Sequence, residues 1–200
     1  MMRYLSLILI VGLLSACFGG GGVVPQDRFY QLADIGGDIP QVKKPFDVIA
    51  VSPLQSDALH RERTILYSLK SAPLMLNTYY YHQWSNVPGK MIQENLIAYL
   101  RKAEFAKQVI RYGERTQIDG QINGYLQRFE RIVGDGGSKV VVRLELSFIP
   151  HAQNAPHSIT KVYELEREAS DNSMEATVEA FSQALQTIYG RFVTDVMHSR

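Results

Sequence analysis

A single cysteine, Cys17, in 200 residues excludes a disulfide framework within the chain. Charge of one sign is also lacking, with 21 Lys and Arg against 20 Asp and Glu. The only charged side chain among the first sixteen residues is Arg3, so a chain beginning at Cys17 carries 20 of each sign. A neutral chain with no basic run lacks the cation surplus that phosphate neutralisation requires, which argues against a nucleic-acid partner. The N-terminal apolar stretch, Tyr4 to Leu14, is only eleven residues long and is broken by Ser6 and Gly12. A transmembrane helix needs about twenty. Signatures of catalysis are missing too. His60, His82, His151, His157 and His198 form no HExxH or similar metal pair and read as solvated. No G-x-S-x-G elbow, Walker loop or G-x-G-x-x-G follows a strand. Asp119 and Glu145 on a polar sheet face are ordinary solvation, so the expectation is a protein that is not an enzyme, with no cofactor and no metal site.

What is present begins with "MMRYLSLILIVGLLSAC", in which one cation precedes the apolar stretch and the small pair Ser15 and Ala16 ends it. That is the layout of a secretory signal. Cys17 follows at once, and its role can be narrowed. A reactive thiol needs an electropositive pocket, and the following "FGGGG" offers no packed neighbours to build one. A metal site needs further Cys or His at ligand spacing, and none lies nearby. Leu14-Ser15-Ala16-Cys17 resembles the lipobox of bacterial lipoproteins. There the thiol receives a diacylglycerol, the preceding peptide is cleaved, and the new amino terminus takes an N-acyl chain. Two or three chains hold a protein firmly where one does so marginally, at about 0.8 kcal/mol per buried methylene. Phe18 stands where inner-membrane lipoproteins commonly carry Asp, so the sorting pattern favours the outer membrane. The glycines then read as a tether: the nine residues from Phe18 to Gln26 span roughly 17 Å if flexible. The expected organisation is a signal peptide over 1–16, a lipidated Gly-rich tether over 17–26, and a single periplasmic domain over 27–200.

With 46% apolar residues, the remainder is long enough to bury a core without disulfides or metal. "RFYQL" (Arg28 to Leu32), "FDVIAVSPL" (Phe46 to Leu54), "RTILYSL" (Arg63 to Leu69) and the stretch Leu74 to Trp84 read as strands. A helix opens at Pro88, capped by Ser85 or Asn86, with Met91, Ile92, Leu96, Tyr99 and Leu100 as its apolar stripe. Thr116 to Ile132, Ser138 to Ile149 and Ser158 to Glu168 alternate as strands of an antiparallel meander, with "VGDGG" as a hairpin turn. Ile118, Gly120, Ile122, Gly124 and Leu126 share one face of the first, and Val140, Val142, Leu144, Leu146 and Phe148 one face of the second. A last helix carries Val178, Phe181, Leu185, Ile188, Phe192 and Val196 on one side, weakened but not ended by Gly190. The expected fold is α+β: an antiparallel sheet covered on one face by two amphipathic helices, a two-layer sandwich.

"NTYYYHQW", Asn77 to Trp84, supplies the candidate interaction surface. Neighbours along a strand point to opposite sides, so three consecutive tyrosines cannot all enter one core. Either their hydroxyls simply reach water from a half-buried sheet, or the exposed members of Tyr79, Tyr80, Tyr81 and Trp84 contact a partner protein or a second copy of this chain. The lipobox at Cys17, "RFYQL" soon after it, "FDVIAVSPL", the tyrosines running into Trp84, and Pro88 opening the helix of Met91, Ile92, Leu96 and Leu100 together resemble the auxiliary lipoproteins of ABC-type transport systems. The resemblance covers most of the chain from Cys17 to the final helix; the longer glycine run and "SNV" before Pro88, where acidic residues are common, depart from it. It implies an outer-membrane lipoprotein facing the periplasm, without catalytic residues, partnered by a mammalian-cell-entry (MCE) domain protein that carries lipid across the envelope. Two other readings stand beside it: a regulatory lipoprotein touching a cell-wall synthase, and a lipid-binding carrier with an unfilled apolar cavity of several hundred Å3.

Overall fold

The computed structural model of the chain describes residues 25–43, 45–114, 117–151 and 157–199. Cys17, the expected signal peptide and most of the expected tether lie outside the described residues. Among the described residues nine strands make one sheet, whose spine is the antiparallel hairpin of β7 (Gly120–Gly134) and β8 (Gly137–Pro150), closed by the two-residue turn Asp135–Gly136. β9 (Ile159–Glu168) pairs antiparallel with β8 and completes the expected meander. Along the other edge of β7 lie β2 (Phe46–Val51), β3 (Gln55–Ser56) and β4 (Thr64–Leu69), in chain order and all parallel to it. β6 (Ala106–Arg111) adds parallel to β2, β5 (Ala72–Trp84) antiparallel to β4, and β1 (Arg28–Tyr30) parallel to β5.

The fold is α+β with the expected layers, but the sheet is partly parallel, which corrects the all-antiparallel expectation. Parallel neighbours need a crossover connection, and the chain from β2 to its parallel neighbour β6 runs through β3, β4, β5 and then helix α1 (Pro88–Lys102). Alternation within a strand tells which side chains turn inward and carries no information about the direction of the neighbouring strand. The inward assignments hold: Val140, Val142, Leu144, Leu146 and Phe148 are all buried, as are the stripes of α1 and of α2 (Met174–His198). The two helices meet where the Tyr99 and Tyr189 rings lie 5.5 Å apart. Gly190 has its reason there, since a Cβ on it would sit 3.1 Å from the Tyr99 hydroxyl. Gly120 likewise makes room for Phe148, whose ring a Cβ would approach to 2.7 Å.

Helix ends follow local chemistry. Ser173 caps α2 by accepting from the Ala176 N–H at 3.0 Å. At α1 neither Ser85 nor Asn86 is the cap: Val87 holds that position without a side-chain bond, and Pro88 starts the helix with its fixed φ. Asn86 Oδ1 instead accepts from the Val87 N–H at 2.8 Å. β6 has no counterpart in the sequence reading, because "AKQVIR" buries only Ala106 and Val109 and shows no clean alternation.

The outward face of the meander carries charge. Arg128 and Arg143 stand opposite one another in the β7/β8 register, and Glu164 lies between them, 3.2 Å from Arg128 and 3.7 Å from Arg143. The two faces therefore respond differently to truncation. Leu144→Ala is expected to cost about 2–5 kcal/mol because the side chain is fully buried, whereas Glu145→Ala on the polar face should change stability by less than about 0.5 kcal/mol. Chemical denaturation of the two variants checks this, and equal losses would reject the assignment of faces.

On the α1 side, Arg111 grips Glu94 with both arms of its guanidinium, Nε to Oε1 at 2.7 Å and Nη2 to Oε2 at 2.5 Å, and Lys90 adds a contact at 2.8 Å. The Arg111 hydrogen bonds, helped by Lys90 and opposed by partial burial, pull the Glu94 carboxyl from its ordinary 4.5 down to about 2. A depressed carboxylate contributes stability that is present above about 4.5 and lost as the pH falls towards about 2. Solvent reaches this pair and makes the contribution small. Glu94→Gln should flatten the fall of melting temperature across that acid window, and parallel curves for variant and wild type would contradict the linkage.

Candidate partner-binding surface

The tyrosine segment lies on β5, a thirteen-residue strand paired to the six-residue β4. The mismatch is taken up at two irregularities. Between Thr64↔Gln83 and Leu66↔Thr78, two steps along β4 face five along β5, and between Tyr67↔Asn77 and Leu69↔Ala72 the same happens again. The surplus residues are Tyr79 to His82 in one case and Pro73 to Leu76 in the other. Bulges of this kind re-aim side chains, and the exposed large apolar residues of β5 all fall within the two: Leu74, Met75 and Leu76 in one, Tyr80 and Tyr81 in the other.

The four aromatic candidates therefore separate. Tyr80 is 86% exposed and Tyr81 46%, so adjacent tyrosines both face solvent, which a regular strand would forbid. Tyr79 is half-buried. Its ring lies 4.5 Å from that of Tyr67 and edge-on to His82 at 5.8 Å, and its hydroxyl accepts from Arg131 Nη1 at 3.1 Å. Arg131 is itself buried, and its other bonds go to Ser138 Oγ at 3.0 Å and the Asn172 carbonyl at 2.8 Å. The bulge is thus clamped from beneath by a cation fixed at three points.

Trp84 is only 1% exposed and belongs to the core. Its ring packs against Phe129 at 5.2 Å and Phe181 at 5.6 Å. It is not among the exposed members of the set, because by residue 84 the strand has regained regular pairing with β4 on one side and β1 on the other. Next to it, β1 shields the end of β5. Tyr30 stacks on His82, with its hydroxyl 2.9 Å from His82 Nδ1. Burial, followed by the nearby Glu175 carboxylate, raises the Tyr30 pKa. Arg63 lies 5.0 Å over the exposed Phe29 ring.

Two features escaped sequence reasoning. The β5 bulges could have been suspected from the excess of "APLMLNTYYYHQW" over "TILYSL", a length signal with no residue signature. His60 is buried rather than solvated, within a single 3-10 turn over Leu59–Arg61. Its ring lies 2.9 Å from Asp57 Oδ1, which also accepts from the His60 N–H at 3.0 Å. Partial burial alone would raise the Asp57 carboxyl, but these His60 bonds outweigh it and hold it below the usual carboxylate value. The spacing of Asp57 and His60 is the capping pattern that could have shown this.

Among the described residues no group of three or more His, Cys, Asp and Glu is placed to hold a metal, and no helix is long and apolar enough to cross a membrane. The larger surface depressions are open and polar-edged. One of about 620 Å3 runs between α2 and β9 and is lined in part by Lys161, Glu164, Arg191 and Asp195. Its polar groups already serve each other, with Asp195 Oδ2 accepting from Tyr163 at 2.7 Å and from Lys161 at 2.8 Å.

A family model described as the ABC-type transport auxiliary lipoprotein component matches residues 30–191. No curated protein matches the chain. Among solved structures, protein XCC0632 from Xanthomonas campestris, of the family DUF330, superposes with a TM-score of 0.67 at 16% identity, covering 86% of this chain and 96% of that one. An uncharacterized protein superposes with a TM-score of 0.66 at 13% identity, over 86% of this chain and 99% of the other. At such identities the two structures speak for the fold alone. The match over 30–191 spans β1 to α2, including the clamped tyrosine bulge, and so the chain belongs to the auxiliary lipoprotein components of ABC-type transport systems.

Proposed function

We propose that the protein is a lipid-anchored, non-catalytic accessory subunit of an ABC-type transport system that moves lipid across the cell envelope, and that it supports membrane integrity in that role. Cys17 carries the diacylglycerol and the N-acyl chain, and the domain faces the periplasm from the outer membrane. The partner is the MCE-domain component of the transporter. The observation that carries this reading is the family match from residue 30 to residue 191. The contact surface is the bulge at Tyr80 and Tyr81, whose broad apolar bodies and hydrogen-bonding tips suit protein interfaces. A second copy of this chain is the other occupant of that surface which its chemistry allows.

Tyr80→Ala tests the surface. The side chain packs on little, so folding stability should stay within about 0.5 kcal/mol of wild type. Association with the MCE-domain protein, measured by pull-down from solubilised membranes, should weaken by more than about 1 kcal/mol, or several-fold in affinity. Wild-type recovery of the partner together with an unchanged oligomer size would place the interface elsewhere.

A further inference from the structure

The outer apolar residues of β5 form a second group that the tyrosine interface does not use. At the β4–β5 turn, Leu69, Leu74, Met75 and Leu76 are all exposed, Leu74 at 99% and Met75 at 53%. Lys70 is the only charged residue between Leu69 and Leu76. The turn is well anchored from behind, with the Lys70 N–H donating to the Val133 carbonyl at 2.9 Å. It therefore presents several apolar side chains and one cation from a fixed hairpin end.

The direction of β1 relates this end to the N-terminus. β1 pairs parallel with β5, Arg28 opposite His82 and Tyr30 opposite Trp84. Moving backwards from Arg28 therefore means moving in the direction of Leu74. Leu74 lies eight residues before His82, about 26 Å of regular strand and less where the strand bulges. Arg28 lies eleven positions after Cys17, a contour of at most about 40 Å at 3.3–3.6 Å per residue. β1 is thus entered from the side of the turn, and the contour back to Cys17 is long enough to reach beyond that turn.

We infer that the Leu69–Leu76 turn is a membrane foothold, lodged at the headgroup boundary of the same leaflet that holds the acyl chains of Cys17. The inference rests on the anchor reading of Cys17. A bilayer fits the chemistry: apolar side chains enter the acyl boundary while a lysine keeps its ammonium among lipid phosphates. Addition of another strand is disfavoured, because the two bulges interrupt the free edge of β5 that such pairing would need. A domain held by its lipid anchor and by this turn has a fixed orientation, with the meander's far end pointing into the periplasm and Tyr80 and Tyr81 at an intermediate height.

The test uses the mature protein purified from membranes and reconstituted in vesicles of phosphatidylethanolamine and phosphatidylglycerol. Mass spectrometry of the N-terminal peptide reports the state of Cys17. With that thiol acylated, Leu74→Cys offers one free thiol for an environment-sensitive fluorophore. Lys107→Cys, on β6 at the opposite end of β7, is the control. On vesicles whose lipids carry a nitroxide near the headgroup, the label at residue 74 should shift to the blue and lose most of its emission, and the label at residue 107 should do neither. A residue 74 label quenched no more than the control overturns the foothold while leaving the anchor intact, since the protein still floats with the vesicles. A blue shift without nitroxide quenching, accompanied by elution as a higher oligomer, assigns the turn to a second copy and also overturns it. Protein that does not float at all defeats the anchor reading and the foothold together.

Discussion

Replacing Trp84 by alanine is expected to destabilise the fold by about 3–5 kcal/mol, the range for removing a large aromatic from a packed core. Trp84 sits among Phe129 and Phe181, with those two rings 4.2 Å from one another, so the cavity would open in the middle of an aromatic cluster joining sheet to α2. Backbone order at the same point ties β5 to its neighbours. The Trp84 N–H donates to the Arg63 carbonyl at 2.6 Å, and Arg63 Nε donates to the Trp84 carbonyl at 3.0 Å. A domain of this size is stable by only about 5–15 kcal/mol, so the variant should unfold at markedly lower denaturant. Urea denaturation followed by circular dichroism reads this out. A loss comparable to that of Tyr80→Ala would mean that the tryptophan is not a core residue.

Cys17→Ser is expected to move the protein from the membrane to the soluble fraction with its melting temperature unchanged. On the tether reading of 17–26 the anchor contributes nothing to the core, which among the described residues draws on Tyr30 and positions beyond it. On the proposed anchor reading the acyl chains supply the membrane affinity, at about 0.8 kcal/mol for each buried methylene, and the few apolar side chains at the β4–β5 turn cannot replace them. Fractionation of cells expressing the variant decides the point. Retention equal to wild type would contradict lipid attachment at Cys17, and a large fall in melting temperature would show that the N-terminal residues pack against the domain.

The sheet's inward face could be read from local pattern, because burial imposes a period of two on Val142 to Phe148 and a helical period on α1 and α2. Strand direction could not. Whether β2 runs with or against β7 depends on a crossover spread over some seventy residues of chain, which no window of alternation contains. The short or weakly alternating pieces, β3 and β6, were invisible for the same reason: each is held by neighbours rather than by its own composition. At the candidate surface the triple tyrosine was legible as an excess of aromatic area. The sorting of its members was not, since it depends on where β5 bulges against β4. That sorting buries Trp84, half-buries Tyr79 on Arg131, and leaves Tyr80 and Tyr81 outside.

Crosslinking in intact cells tests the central claim most directly. A photo-reactive amino acid at position 80 of the otherwise native lipoprotein, with Lys107 as the control position, would be irradiated in living cells and its adducts identified by mass spectrometry. The expected adduct at position 80, absent at position 107, is the MCE-domain component of an ABC-type transport system. Capture of a cell-wall synthase at position 80, or the same adducts at both positions, would contradict the assignment of this surface and of the accessory role in lipid transport.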